Sequence, residues 1–422
     1  MDQKLWNRIR RFVGPMTYAW LEERTLTCLT NFDNSRRRWS TQIVRGVVSD
    51  RRSDSTYEIP FYISSGARLG VRRKVGERSF PAKDDIPLGL SGPSYGNQLE
   101  DPWSVILGIL NGHGVRLPLE IFAIEHVTQR TWVINGEPIS EPEEIWNVLD
   151  IYGASSSRCR WIQSISKGYL SPLRINDTVG RLRIESAGIE RLQASPRHKQ
   201  ILMFRGQAAA VLSHELFGHY FEWLAQRSEE NKDQMIVKPI GLIGGCEVTF
   251  DPSPADAIAT YERDDLGRTL YSHNLIHEGV MDTRMQERLP LIRTGKFMVA
   301  EPWIGNFRLA CKAAPLRLPK ATPQRESHEE SINFIQSAYF NRGDQRITIK
   351  FATDHHGSSR VSSISVRAID LLRNLEIGPA TTDMHHGVCL KGGLFYPYSI
   401  SCQWMKLDLR LIQDLSWFSE SR

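Results

Sequence analysis

The segment His214-Glu215-Leu216-Phe217-Gly218-His219 constrains this chain more than any other, because six residues hold two imidazoles and a carboxylate. Neutral imidazoles are good zinc ligands, and a glutamate beside them can act as general base toward a metal-activated water. In the commoner arrangement of these groups the two histidines stand four apart, on one face of a regular helix. Here they stand five apart. At 3.6 residues per turn, five positions leave the two rings about 140° apart around the axis. Both reach one metal only if the helix is widened, broken or distorted between them, and a π-bulge with i→i+5 bonding supplies such a distortion. Gly218, immediately before the second histidine, weakens the helix at the place where the distortion is needed.

The flanks predict an enclosed helix. Ile201-Leu202-Met203-Phe204 is a short apolar run that reads as a strand, Arg205-Gly206 turns the chain, and residues 207–226 contain good helix formers with almost no breaker. Apolar side chains at Ala208, Val211, Leu212, Leu216, Phe217, Tyr220, Phe221 and Leu224 cover much of the helix surface. As hydrogen-bonded core groups, His214, Glu215 and His219 would be unusual, because ionisable side chains are seldom buried without partner or purpose. Their concentration points to a metal or catalytic role.

Residues 214–222 resemble the HExxxH-x-x-E signature of the TldD/PmbA metallopeptidases, with Glu222 in the final position. The resemblance continues in order. Val248-Thr249-Phe250-Asp251 is similar to a family strand, Asp264-Asp265-Leu266-Gly267 to a family turn, and Leu275-Ile276-His277-Glu278-Gly279-Val280 to the segment after it. Thr294-Gly295 fits a further family pair, and Cys389-Leu390-Lys391-Gly392-Gly393 resembles its C-terminal Cys-Gly-Lys-x-Gly-Gln. The match runs from about residue 196 to 400 and is loose before residue 190. Leu390 and Gly393 depart from the family Gly and Gln.

The resemblance implies one zinc ion on His214, His219 and Cys389, Glu215 as general base, and Glu222 as acceptor for a ligating imidazole. It implies hydrolysis of an amide by a metal-activated water: Glu215 takes the proton and returns it to the leaving amine. It also implies an extended, unfolded peptide in a narrow channel, added as a strand to a sheet edge. The chain is expected to pair with a related subunit lacking the motif, or with itself. Other donors for the third position are Cys246, Asp383, His385 and His386. Two other readings stand beside this one: an amide hydrolase acting on a small biosynthetic intermediate, and a non-catalytic scaffold whose metal is structural. Maturation of peptides or natural products is the specialised role the divergent N-terminal half suggests.

Other histidine pairs carry less weight. His273 and His277 are four apart but fall in a segment that reads as strand and turn, and His355-His356 precede Gly357 in an expected loop. Neither a nucleophile elbow nor a phosphate loop nor a dinucleotide fingerprint is present.

Composition limits the classes. With 41% hydrophobic and 24% charged residues, 422 residues suit a globular protein of two domains or one large one. The net charge of +5 is small for this length, and the basic clusters at residues 8–11, 36–38 and 72–74 lack interleaved aromatics, so nucleic acid is not an expected partner. No apolar run is long enough to span a bilayer, and Arg8, Arg10 and Arg11 interrupt what would be the apolar core of a signal peptide, so a cytoplasmic location is expected. The six cysteines are dispersed, without a CxxC pair.

The expected architecture is α+β in two domains. Residues 1–195 form an N-terminal mixed α/β domain, and residues 196–422 a mainly β domain with the metal-binding helix at its start. Strands are predicted over 18–31, 38–48, 57–64, 67–74 and 121–134, and later over 346–353, 387–399 and 407–411. Helices are predicted over 1–13, 105–110 and 141–149. Residues 81–103, rich in Pro, Gly and Ser, predict a loop or lid.

Overall fold

The structure, a computed structural model, describes residues 16–59, 68–87, 108, 119–176, 201–230, 246–311 and 329–420, with short breaks within these ranges. The expected helices over 1–13 and 105–110, the 81–103 loop and the expected domain boundary between residues 195 and 196 lie wholly or almost wholly outside the described residues. What is described is rich in β-sheet with few helices, an α+β fold.

The largest sheet is antiparallel and comes from the N-terminal half. Its long strands Met16–Phe32 and Ser35–Asp50 form one hairpin, and Leu119–Ile134 pairs with the first of them, followed outward by Glu144–Ser155 and Arg158–Lys167. Residues 141–149 are therefore not a helix: 141–143 lead into the strand Glu144–Ser155, which is paired on both edges. The misreading has a physical cause. Trp146, Asn147, Val148 and Leu149 are all buried, so both faces of this strand are covered and the period-2 alternation that identifies a strand is missing.

Among the described residues the C-terminal half builds four further sheets, one of them the two-stranded pair Leu291–Thr294 and Val299–Pro302, around one apolar core that runs from Leu202 to Ile412. One sheet places Ile201–Arg205 between Glu329–Ile332 and Trp404–Asp408. The expected strand over 407–411 ends at Asp408, whose carboxylate accepts the Arg410 N–H and caps a 3₁₀ turn over Leu409–Leu411. A six-stranded sheet contains Cys246–Phe250, Asn306–Cys311 and, at its margin, the hairpin of Leu394–Ser401 and Met384–Lys391. A four-stranded sheet begins with Ser337–Asn341.

The N-terminal sheet has small clusters of its own. Trp20, Val47 and Trp132 form one; Cys28, Ile124, Trp146 and Val148 form another, and Val388 and Phe395 of the C-terminal hairpin pack against the latter. The hairpin that carries Cys389 is thus seated on the N-terminal sheet.

Candidate metal centre

The strand Ile201–Arg205 hands over to the motif helix at Gly206, whose φ of +53° is a conformation side-chain-bearing residues rarely adopt. The helix then runs in three parts: α-helical over Gln207–Ser213, π-helical over His214–His219, and α-helical again over Tyr220–Glu230. The Tyr220 N–H bonds Glu215 O, five residues back. In i→i+5 geometry, five residues make about one turn, so both histidines return to one side of the helix. The imidazole centroids are 4.6 Å apart.

Each buried group has a distinct environment. The His214 ring stacks on Tyr398 at 3.8 Å and 7°, and meets Trp303 edge-on at 5.8 Å. Burial holds its pKa well below the ordinary histidine range, so it stays neutral and able to ligate. Both of its ring nitrogens are buried without a hydrogen-bond partner among the described residues. A buried imidazole without any partner is costly unless something else is bound.

Tyr398 reaches His214 because residue 387, opposite it in the hairpin, is glycine. A Cβ at Gly387 would lie 2.0 Å from Tyr398 Cζ.

His219 donates from Nδ1 to Glu222 Oε2 at 3.0 Å, which leaves Nε2 facing Cys389 Sγ at 3.2 Å. Burial lowers the pKa of His219, but the Glu222 carboxylate and the Cys389 contact outweigh it and raise the value well above the usual range. The surroundings of this ring favour positive charge. Glu222 is fully buried and receives two further donors, the Ile304 N–H on Oε1 at 2.9 Å and Lys391 Nζ on Oε2 at 2.6 Å. Burial would raise its pKa, yet Lys391 and His219 hold it well below the carboxylate range. Glu215 accepts the Phe340 N–H at 2.7 Å; its burial pushes the carboxyl up to about 7 despite His219 and that hydrogen bond.

Ligand atoms of His214, His219 and Cys389 all lie within 4.8 Å of one another. Two imidazoles and a thiol are a zinc-type donor set, and the unpartnered nitrogens of His214 give the set a reason to exist. The three residues line a cavity of about 490 Å³ together with Glu215, Phe340 and Tyr398.

The alternative donors lie elsewhere. Cys246 is buried in a strand paired with Asn306–Cys311, and His386 Nδ1 lies 3.0 Å from Ser399 Oγ. His385 sits beside Gly206 at the start of the motif helix, and Asp383 is exposed. His273 and His277 belong to the six-stranded sheet, where His277 Nδ1 is 3.2 Å from Glu247. The side chains of His355 and His356 lie outside the described residues. Sequence reasoning did not assign roles to Lys391, Tyr398 or Trp303. Lys391 had one signal, its match to the lysine of the Cys-Gly-Lys segment that residues 389–393 resemble; the other two had none.

No family model and no curated protein matches this chain. Solved structures do. The chain is similar to TldE from Thermococcus kodakarensis, with a TM-score of 0.56 and 12% identity over 96% of this chain and 98% of that one. It is similar to a proposed modulator of DNA gyrase from Thermotoga maritima, with a TM-score of 0.56 and 12% identity over 99% of this chain and all of that one. A proposed modulator of DNA gyrase from Bacteroides thetaiotaomicron gives a TM-score of 0.55 and 11% identity over 99% of this chain and all of that one. At this identity the likeness establishes the fold. The fold expected from the TldD/PmbA resemblance is the fold found, over nearly the whole chain.

Proposed function

We propose that this chain is a metal-dependent peptidase or amidase of the TldD type, with one zinc ion held by His214, His219 and Cys389. The observation that carries the reading is the buried, unpartnered imidazole of His214 beside the Cys389–His219 contact. Zinc bound there would supply Lewis acidity toward a water and an amide carbonyl. Glu215, lining the same cavity, takes a proton from the attacking water and delivers it to the leaving amine. A carboxyl held at about 7 exchanges protons readily near neutral pH. Glu222 fixes the His219 ring by accepting from Nδ1.

The cavity walls suit an extended substrate. Among the described residues Ser337–Asn341 is the outermost strand of its sheet, Met384–Lys391 is the outermost strand of another, and residues of both line the cavity. A peptide laid along either edge gains main-chain hydrogen bonds without requiring a particular sequence. Among the described residues no fourth His, Cys, Asp or Glu joins the three-donor group, which favours catalysis over a structural metal.

The reading includes a related subunit, or a second copy, as partner, and a role in peptide or natural-product maturation in the cytoplasm. No helix of the described residues is long and apolar enough to cross a membrane. It also takes residues 1–195 and 196–422 as two domains, a division supported by the N-terminal sheet's own cluster of Trp20, Val47 and Trp132.

The test is Glu215→Gln. The amide is nearly isosteric, so the variant keeps its fold and its zinc while turnover falls by roughly 10²–10⁴-fold, the usual general-base contribution. Undiminished hydrolysis of an unfolded peptide by this variant removes Glu215 from the mechanism.

A further inference from the structure

We infer that Lys391 is a positioning residue: its ion pair with Glu222 is a latch that holds the Cys389 hairpin in register against the motif helix and so preorganises the three donors. The inference rests on the metal-site reading above and adds to it a residue without an assigned role.

Two short-range periodicities meet at this point. On the strand Met384–Lys391, residues two apart share a face, so Cys389 and Lys391 point to the same side. On the helix, residues three apart are neighbours, so Glu222 stands beside His219. His219 and Cys389 therefore each carry a charged companion, negative for the one and positive for the other. Both pairs close together: Cys389 Sγ lies 3.2 Å from His219 Nε2, and Lys391 Nζ lies 2.6 Å from Glu222 Oε2.

The lysine is committed to this place. Its side chain is 8% exposed, it also donates to Pro302 O at 3.0 Å, and its ammonium sits 5.0 Å from the centre of the Trp303 ring. Burying an ion pair costs desolvation that a well-packed apolar pair would avoid, so such pairs are weak devices for stability and better ones for register. Register is what this site needs. A slip of one residue would turn Cys389 and Lys391 together to the opposite face of the strand. The latch closes only in the register that also brings Cys389 to His219, across 170 residues of sequence.

The experiment measures zinc affinity by chelator competition in the full chain for wild type, Lys391→Met, Glu222→Gln and the double variant. Loss of a group that orients a ligand typically weakens metal binding roughly 10–100-fold, so each single variant should fall in that range. Because Lys391 acts through Glu222, the double variant should bind no more weakly than the weaker single variant. Wild-type affinity in Lys391→Met, or losses that multiply in the double variant, overturns the latch. The second measurement uses metal-free protein and follows Cys389 with an aromatic disulfide reagent, the site identified by peptide mass. A latched Cys389 reacts more slowly in wild type than in Lys391→Met, and equal rates overturn the proposal. Should Lys391→Met not fold, Glu222→Gln carries the same comparison. A wild type that binds no zinc refutes the peptidase reading, and the thiol rates still decide the latch.

Discussion

The residue that most sharply limits the geometry of this centre is Gly387. Its missing side chain lets the Tyr398 ring cross the hairpin and stack on His214, a contact at 3.8 Å between nearly parallel planes. Gly387→Ala places a methyl group 2.0 Å from Tyr398 Cζ, so the ring must move. Overpacking of this kind costs about 1–3 kcal/mol. The variant is expected to unfold at lower urea concentration and to bind zinc more weakly, because His214 loses the surface that fixes its plane. Denaturant titration beside chelator competition checks both, and wild-type zinc affinity in a destabilised variant would separate Tyr398 from the metal site.

Two elements converge on the centre, the π segment and the C-terminal hairpin. The π segment solves a local problem, the five-residue spacing; the hairpin solves a long-range one by delivering Cys389. A thiolate ligand must be deprotonated, so its loss reduces affinity and also flattens the dependence of binding on pH. Cys389→Ser should accordingly weaken zinc binding severely, while Cys246→Ser, in a strand within the core, should leave it unchanged. Metal analysis of the two purified variants distinguishes them, and retained zinc in Cys389→Ser would require a different third donor.

At the scale of the whole molecule, a buried charge network joins the N-terminal sheet to the segments that frame the site. Glu22 accepts from Arg24 Nε at 2.6 Å, Arg45 Nε at 2.5 Å and Arg130 Nε at 3.0 Å. Arg24 donates onward to Phe395 O and Arg45 to Tyr396 Oη, on the strand opposite Cys389. At its margin, Glu141 faces Arg130 and accepts the Arg263 N–H. Burial outweighs Arg130 and raises its carboxyl from 4.5 to about 7. The folded protein thus keeps a proton that the unfolded chain releases. Its contribution to stability is fully present below about pH 4.5 and is lost as pH rises to about 7, a span of roughly 3 kcal/mol at 1.36 kcal/mol per unit. Glu141→Gln should remove this share of the decline and leave the share of Glu215, also held at about 7, as urea unfolding at pH 5 and pH 8 measures. An identical pH dependence in the variant would place the titrating group elsewhere.

Much of this was legible without the fold because its causes are local. The two histidines, the glutamate between them and the five-residue spacing sit within six residues, so the need for a widened helix follows from periodicity alone. The long strands Met16–Phe32 and Leu119–Ile134 are legible for the same reason, in their β-rich composition. The proposed thiol ligand was legible through resemblance; residue chemistry by itself left Cys246, Asp383, His385 and His386 beside Cys389. The tertiary structure decided the rest. Strand Glu144–Ser155 looks helical in sequence, because burial on both faces erases its alternation. Tyr398 against His214 and Lys391 against Glu222 join residues 184 and 169 positions apart. Contacts of that separation depend on register and sheet order, which leave no periodic trace near either partner.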